Sequence, residues 1–346
     1  MTRTLKLGLN TGYWAGGPPP DIAETIADAE ALGLDSIWTA EAYGSDCLTP
    51  LAWWGASTTR LKLGTAIVQM SARQPAATAM AAMTLDHLCG GRFILGLGVS
   101  GPQVVEGWYG MSFARPLART REYVGILRDI WARGGPVTND GPHYPLPVPD
   151  GTGLAKALKS SIHPLREDIP IYLGAEGPKN IALCAELCDG WLAMLFSPTH
   201  QDLLLDALDE GFARPGARRS REDFEVAATV PLIVSDDVEA AADALRPFYA
   251  LYFGGMGARG ANFHANVPIR MGYEAMVGEV QDLYLAGHKQ EAAAKIPTEL
   301  IEQLSLIGPA AKIRHDLERW RDSIVTTLLV SGDRATVATA AELVLG

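Results

Sequence analysis

Short apolar runs alternate along the chain with longer segments in which apolar residues recur every three or four positions. The first pattern predicts buried strands, and the second predicts amphipathic helices. Strands are predicted at residues 6–10, 36–39, 61–68, 93–97, 171–173, 191–195, 224–234 and 326–330, and helices at 21–32, 50–58, 75–88, 117–132, 178–187, 198–212, 238–251, 273–286, 309–321 and 335–344. Because strands and helices alternate, the sequence predicts a parallel sheet covered by helices.

Eight such β/α units occur within 346 residues. That number fits one (β/α)8 TIM barrel over residues 1–346 better than an open, doubly wound sheet. Two segments interrupt the alternation and are predicted to be insertions, one after strand 4 and one after strand 7. Residues 134–168 are rich in proline, and residues 253–307 combine a glycine-rich loop with one amphipathic helix.

Composition narrows the range of partners. The net charge of −11 argues against nucleic acid and against anionic membrane surfaces, which both require a basic face. The start of the chain lacks the apolar core of a signal peptide, and no apolar run is long enough to span a bilayer, so a cytoplasmic location is expected. The cysteines form no zinc-binding pattern, no metal site is predicted, and we expect these thiols to be reduced: Cys47, Cys89, Cys184 and Cys188.

The clearest candidate for binding chemistry is the turn after the fifth predicted strand. Gly174 and Gly177 permit backbone angles that a Cβ would oppose, and Pro178 suits the first position of the helix that follows. Unpaired amides at the start of that helix can bind a phosphate or a carboxylate. Glycine and proline are also ordinary in any connection between a strand and a helix, so the turn alone leaves both interpretations open.

In a TIM barrel the functional residues lie at the carboxyl ends of the strands. Four segments at these ends resemble the bacterial luciferase-like superfamily, and most closely its coenzyme F420-dependent branch: residues 38–43 (WTAEAY), 63–67 (LGTAI), 94–101 (ILGLGVSG) and 174–178 (GAEGP). Residues 253–263 (FGGMGARGANF) are similar to a stretch typical of actinobacterial members of that branch. The resemblance runs nearly end to end and implies a homodimer with coenzyme F420, or alternatively FMN, as cofactor.

The resemblance also implies which residues bind that cofactor. The third strand is expected to end in a cis peptide between Ala66 and Ile67 behind the ring, and Ser100 and Gly101 are expected at the ring edge. Val105 stands where relatives often carry a polar contact, which makes a side-chain bond there doubtful. The phosphate is expected on the turn Gly174, Ala175, Glu176, Gly177, Pro178 and Lys179, and near Met194, Leu195, Phe196 and Ser197. Glu176 is expected to face solvent because its charge would repel an anion, and Ser197 is also a plausible helix N-cap.

Candidates for proton transfer are few. Several hydride-transferring relatives carry a histidine where this chain has Ala42, and Pro102 replaces the relatives' acid after the fourth strand. Glu41, Tyr43 and His264 remain as catalytic candidates, although Glu41 is equally plausible as a structural carboxylate.

Loop aromatics suggest an apolar or bulky organic substrate, or alternatively a seal over the barrel mouth: Tyr13, Trp14, Trp108, Tyr109 and Phe263. The leading functional hypothesis is an F420-dependent oxidoreductase that transfers a hydride between C5 of the deazaflavin and this small-molecule substrate. An FMN-dependent monooxygenase of the luciferase type is the second hypothesis. The third is a flavin- or deazaflavin-binding protein with little catalysis.

Overall fold

The computed structural model describes residues 4–14, 16–257, 259–260 and 262–346. Ala258 and Ala261, which belong to the glycine-rich segment singled out above, lie outside the described residues. The strands, in chain order, are β1 (Lys6–Asn10), β2 (Ser36–Thr39), β3 (Lys62–Thr65), β4 (Val68–Gln69), β5 (Phe93–Gly98), β6 (Ile171–Gly174), β7 (Gly190–Ala193), β8 (Glu225–Thr229), β9 (Leu232–Val234), β10 (Leu306–Gly308) and β11 (Thr327–Val330).

Nine of these strands form one closed parallel sheet in the order β3-β2-β1-β11-β8-β7-β6-β5-β4. The sheet closes because β5 pairs with both β3 and β4, which together occupy the position of the third barrel strand. The result is a (β/α)8 TIM barrel, as the sequence predicts. Within it, Trp38 and Tyr172 pack with their ring centroids 5.7 Å apart. These large rings are accommodated by glycine on neighbouring strands, since a Cβ at Gly190 would lie 2.8 Å from the Tyr172 ring.

Helices surround the barrel and bury its outer face. They are α1 (Ile22–Ala31), α2 (Thr49–Gly55), α3 (Pro75–Leu88), α4 (Pro102–Gly107), α5 (Pro116–Ala132), α6 (Pro178–Leu187), α7 (Asp202–Phe212), α8 (Val238–Ala250), α9 (Asn266–Arg270), α10 (Glu274–Leu285), α11 (Lys289–Ala294), α12 (Thr298–Leu304), α13 (Ala310–Arg321) and α14 (Arg334–Leu345). Within the described ranges, none of them is both long enough and apolar enough to cross a membrane.

Three predicted elements differ from those observed. Residues 61–68 form two strands, because the chain bulges at Ala66-Ile67. Residues 224–234 also divide into two, because Pro231 has no amide hydrogen with which to continue a ladder. Beyond it β9 leaves the barrel and pairs with β10 in a separate two-stranded sheet. The helix predicted from residue 198 begins at Asp202, after a single 3-10 turn.

The two insertions have different characters. Residues 134–168 contain only two isolated β-bridges among the described elements, Val137 with Leu158 and Asn139 with Leu146, which agrees with their proline content. The described part of residues 253–307 contains four α-helices, preceded by a π-helical turn at Leu251–Gly255, instead of the single helix predicted. These helices share an apolar core of their own with α8, in which Phe253, Val280 and Leu300 are fully buried. This second insertion is therefore a packed layer that positions residues above the barrel mouth.

Candidate active site

The floor of the site is the peptide bond between Ala66 and Ile67, which is cis although no proline follows. This confirms the geometry that the resemblance implies. Ile67 lies against two glycines, since a Cβ at Gly98 would meet Ile67 Cδ1 at 2.5 Å and one at Gly174 would meet its Cγ2 at 3.3 Å. Gly98 therefore has no room for a side chain, and a Cβ at Gly174 would displace Ile67 by a few tenths of an ångström. Ala66 and Ile67 also pack on the apolar cluster inside the barrel, so the floor is flat, apolar and supported from below.

Two residues on the rim of this floor have left-handed backbone angles that side chains other than glycine seldom adopt. They are Ser100, with φ 58° after β5, and Leu195, with φ 55° after β7. Such conformations persist only where the surrounding structure imposes them, and they are concentrated at functional sites. Both residues were among the predicted cofactor contacts.

The turn after β6 leads directly into α6, with Gly177 in the N-cap position and Pro178 first in the helix. The amides of Glu176, Gly177 and Lys179 donate to no acceptor within the described ranges. A Cβ at Gly177 would enter open space, whereas Ala175 is buried and its carbonyl accepts a bond from Trp191 Nε1. The turn therefore presents free donors at the positive end of a helix.

A cavity of about 390 Å³ adjoins this turn. Its polar lining consists of Glu176, Ser197, His200 and Arg270, and Met194, Leu195 and Phe196 supply part of its apolar wall. The Ser197 hydroxyl lies 3.3 Å from His200 Nδ1 and makes no N-cap bond. Arg270 Nη2 donates to the Glu176 carbonyl at 2.9 Å. Burial lowers the pKa of the Arg270 guanidinium, and a bound anion would offset the cost of burying that charge.

Neither His200 nor Arg270 was identified from the sequence. Arg270 reaches the site from α9 in the second insertion, so nothing in its own sequence neighbourhood indicates this location. His200 lies three residues after Ser197, a predicted cofactor contact. This short spacing is the one feature of the sequence that could have indicated His200 as a site residue.

Glu176 does not face solvent, and that expectation was wrong. Its side chain is 12% exposed, and its Oε1 lies 2.6 Å from His264 Nδ1. An ionised carboxylate only accepts hydrogen bonds, so Nδ1 is the donor and Nε2 is left for other partners. The other oxygen of Glu176, Oε2, is buried without a partner among the described residues. The Glu176 carboxylate, which was expected to repel an anion, therefore points toward His264.

His264 is held in place by a turn that the buried Asn262 organises. Asn262 Nδ2 donates to the carbonyls of Tyr252 and Phe253, and Asn262 Oδ1 accepts from the amide of His264. The His264 ring packs edge-on against Tyr252, with centroids 4.9 Å apart. Burial, followed by the neighbouring Tyr13 and Glu176, raises the pKa of Tyr252 to about 12, so its hydroxyl keeps its proton at neutral pH. Neither Tyr252 nor Asn262 was predicted as a site residue, although Asn262 lies in the segment 253–263 that resembles the family.

Glu41 is buried beside β4, and both of its oxygens have partners. Oε1 accepts from the Gln69 amide at 2.9 Å and from Arg73 Nη1 at 2.5 Å, and Oε2 lies 3.4 Å from the Cys47 amide. This arrangement favours the structural role for Glu41. Burial, with the charge of Glu41 adding to it, raises the pKa of the Cys47 thiol, which keeps that thiol protonated.

The loop aromatics fall into two groups. Tyr13 lies near the exposed Tyr43, with ring centroids 6.2 Å apart, and Phe263 lies 6.3 Å from Phe113 across the mouth. Tyr109 donates from its hydroxyl to the Ala42 carbonyl. By contrast, Trp14 packs on Trp54 in the outer core, and Trp108 projects into solvent. Tyr13, Tyr43, Tyr109 and Phe263 therefore remain candidates for the substrate side of the barrel, whereas Trp14 belongs to the outer core.

The remaining predicted contacts lie at the edges of the site. Val105 is buried and lines a second cavity, and Ser100 and Gly101 are partly buried beside it. Pro178 and Lys179 are exposed on the outside of the α6 turn.

Comparisons with known proteins agree with this arrangement. The family model described as luciferase-like monooxygenase matches residues 6–327. A protein of Mycobacterium tuberculosis, provisionally named a coenzyme F420-dependent oxidoreductase, is 57% identical over 337 residues, which cover 97% of each chain.

Two solved structures share the fold over nearly the whole chain. The coenzyme F420-dependent tetrahydromethanopterin reductase of Methanopyrus kandleri has a TM-score of 0.81 at 22% identity and 99% coverage of both chains. An F420-dependent secondary alcohol dehydrogenase, in complex with an F420-acetone adduct, has a TM-score of 0.77 at 18% identity and 98% coverage of both. With the family match and the 57% identity, these findings establish that the chain belongs to the luciferase-like monooxygenase family.

Proposed function

We propose that this chain is a coenzyme F420-dependent oxidoreductase that acts by hydride transfer on an apolar or bulky organic substrate. When bound, coenzyme F420 supplies a two-electron hydride donor or acceptor at C5 of its deazaflavin ring. The observation that carries the proposal is the anion-binding turn at the start of α6, located beside the cis peptide of Ala66-Ile67. The name of the relative at 57% identity supports the choice of cofactor.

The residues present fit such a cofactor. The amides of Glu176, Gly177 and Lys179, the Ser197 hydroxyl and the Arg270 guanidinium would hold its phosphate. Ile67, with glycines on either side, would support the face of its planar ring. Ser100 and Gly101 would border the ring edge. The site thus offers both an apolar surface and a fixed set of anion donors, which a planar cofactor with a charged tail requires.

We assign proton transfer to His264. Glu176 fixes the protonated state of Nδ1, and Asn262 fixes the position of the backbone, so Nε2 can give or take one proton. Tyr252 packs on this imidazole and remains neutral, and it therefore supports His264 without competing for the proton. Tyr13, Tyr43, Tyr109 and Phe263 would then exclude water from the substrate.

A fluorescence titration of the purified protein with oxidised coenzyme F420, and in parallel with FMN, tests the proposal. We expect selective binding of the deazaflavin. The variant Arg270→Gln should weaken it about tenfold, because one charge-assisted hydrogen bond is lost. Arg314→Gln, which removes a surface ion pair with Glu342, should leave the affinity unchanged and serves as the control.

Preference for FMN would reject the proposal in favour of the monooxygenase hypothesis. Tight F420 binding without turnover of any organic substrate would favour the binding-protein hypothesis instead.

A further inference from the structure

A second cavity, with about 450 Å³ of empty space including its opening to solvent, lies beside the chain that follows β4. It is enclosed by the chain after β4, by α4, by the start of α5 and by Tyr144 from the first insertion. Met70, Val105, Met111 and Phe113 make most of its wall apolar. Val105, one of the predicted cofactor contacts, lines this cavity and donates its amide to the Gly101 carbonyl, so the cavity adjoins the proposed cofactor site.

The charge of this cavity is positive, although the whole chain carries a net charge of −11. Two arginines line it, Arg73 and Arg119, and no Asp or Glu does so among the described residues. Glu41 neutralises Arg73 from behind, through the bond to Nη1. Arg119 donates from Nε to the Ala114 carbonyl and forms no ion pair with any described carboxylate. Because Glu41 already pairs with Arg73, Arg119 is the lining arginine without an ion-pair partner among the described residues.

One further polar group is available for a ligand beside that charge. The Ser71 hydroxyl is buried at the cavity wall and has no hydrogen-bond partner among the described residues. A buried donor without a partner is costly unless a ligand or a water satisfies it. The Arg119 guanidinium lies 5.8 Å over the Tyr144 ring and is also within hydrogen-bonding reach of the Tyr144 hydroxyl, which orients the guanidinium.

Hydrogen bonds to α5 hold the first insertion in place beside Arg119. Glu122 of α5 accepts the amides of both His143 and Tyr144 at 3.0 Å, and Asn139 Nδ2 donates to the Tyr144 carbonyl. The Tyr144 ring also packs edge-on against Tyr123 at 5.5 Å. A proline-rich segment without regular structure therefore holds one aromatic side chain in a fixed place against Arg119.

We propose that this cavity binds the substrate through a single anionic group, and that the substrate is an apolar organic monoanion such as a carboxylic acid with a hydrophobic body. The anion would pair with Arg119 and accept from Ser71, and the apolar body would lie along Met70, Met111 and Phe113. This inference rests on the proposed function only for its identification of the ligand as the substrate, because the chemistry of the cavity stands without the cofactor.

The test uses two fluorescent probes of the same shape on the cofactor-free protein. These are 8-anilinonaphthalene-1-sulfonate, an apolar monoanion, and N-phenyl-1-naphthylamine, its uncharged counterpart. We expect Arg119→Gln to weaken binding of the anionic probe about tenfold and to change binding of the neutral probe less than twofold. Arg119→Lys should restore part of the loss. Met111→Trp, which fills the cavity, should abolish binding of both probes.

Arg115→Gln is the matched control, because it removes the same charge four residues away on an exposed side chain outside the cavity. Equal effects of Arg115→Gln and Arg119→Gln, or equal binding of both probes before and after substitution, would overturn the proposal. Displacement of the anionic probe by coenzyme F420 would assign the cavity to the cofactor's own acid groups and would also overturn it. If F420 fails to bind while the probes behave as expected, the proposed function fails and the monoanion site stands.

Discussion

One hydrogen bond, between Glu176 Oε1 and His264 Nδ1, determines what His264 can contribute. If His264 transfers the proton, His264→Gln should lower kcat by about a hundredfold or more. Glutamine is similar to histidine in size and polarity, but it cannot gain or lose a proton near neutral pH. The dissociation constant for coenzyme F420 should remain within about twofold of the parent value. Steady-state kinetics over pH 5 to 9 and a parallel cofactor titration measure both effects.

The exposed His315 provides the control, because His315→Gln removes a histidine far from the barrel mouth. An unchanged kcat in the His264 variant would mean that the Glu176–His264 pair only anchors the second insertion. In that case its loss would appear as reduced thermal stability.

Gly177 is a second residue whose role can be separated from stability. Its backbone is extended, with φ −86° and ψ 144°, and a Cβ there meets nothing within 4 Å. Gly177→Val should therefore fold normally while its side chain covers the amides of the proposed anion-binding turn. We expect F420 binding to weaken tenfold to a hundredfold, with the free energy of unfolding changed by less than about 1 kcal/mol.

Gly134→Val is equally unobstructed and remote from the site, so it should alter neither cofactor affinity nor stability. A loss of stability in the Gly177 variant as large as its loss of binding energy would show that the turn is only structural.

At the scale of elements, Glu41 connects the loop after β2 to β4 and to the chain beyond it. Glu41→Ala leaves Arg73 partly buried without its counter-ion and removes the acceptor for the Gln69 amide. We expect a loss of about 3 kcal/mol in the free energy of unfolding, measured by urea denaturation, because both groups lose their partner. The exposed Glu342, paired with Arg314, is the comparison, and Glu342→Ala should cost less than about 1 kcal/mol. A Glu41 variant that is stable but inactive would support the acid role.

Elements whose cause is local were predictable from the sequence. Amphipathic periodicity identified the helices, and Gly174, Gly177 and Pro178 identified the start of α6. Pro231 indicates the division between β8 and β9, although a single strand was predicted across it at residues 224–234. The interruption at Ala66-Ile67 has no such signal, because it depends on close contact with Gly98 and Gly174 from other strands.

The candidate site was predicted where its residues follow a strand directly, as at the α6 turn. Several side chains that arrive from or beside an insertion were missed, although His264 and Phe263 of the second insertion were predicted. Arg270 belongs to the second insertion, Tyr252 directly precedes that insertion, and Tyr144 belongs to the first. Their destinations depend on how those segments pack, which the periodicity of the segments does not encode. The orientation of Glu176 was wrongly predicted for the same reason, since its partner His264 is 88 residues away in the chain.

At the scale of the whole molecule, α3 exposes an apolar stripe that the chain itself does not cover. Met80 and Leu88 are 59% and 68% exposed on α3, and Trp53 on the adjoining α2 is 76% exposed. Large exposed apolar patches commonly mark association surfaces, and a two-fold pair would bury the same patch on both chains. We therefore propose that the homodimer implied by the family resemblance forms here. Sedimentation equilibrium should give twice the chain mass of 37.0 kDa.

Met80→Glu would place two like charges at the centre of such an interface, so this variant should sediment as a monomer of 37.0 kDa. Because Met80 is exposed on α3, the monomer should keep its fold and its affinity for coenzyme F420. Leu285→Glu introduces the same charge on the exposed face of α10 in the second insertion, and it should leave the dimer intact. A parent protein that is monomeric at micromolar concentration, or a Met80→Glu protein that still dimerises, would place the association surface elsewhere. Retention of cofactor affinity by the monomer would show that each barrel binds coenzyme F420 independently of its partner.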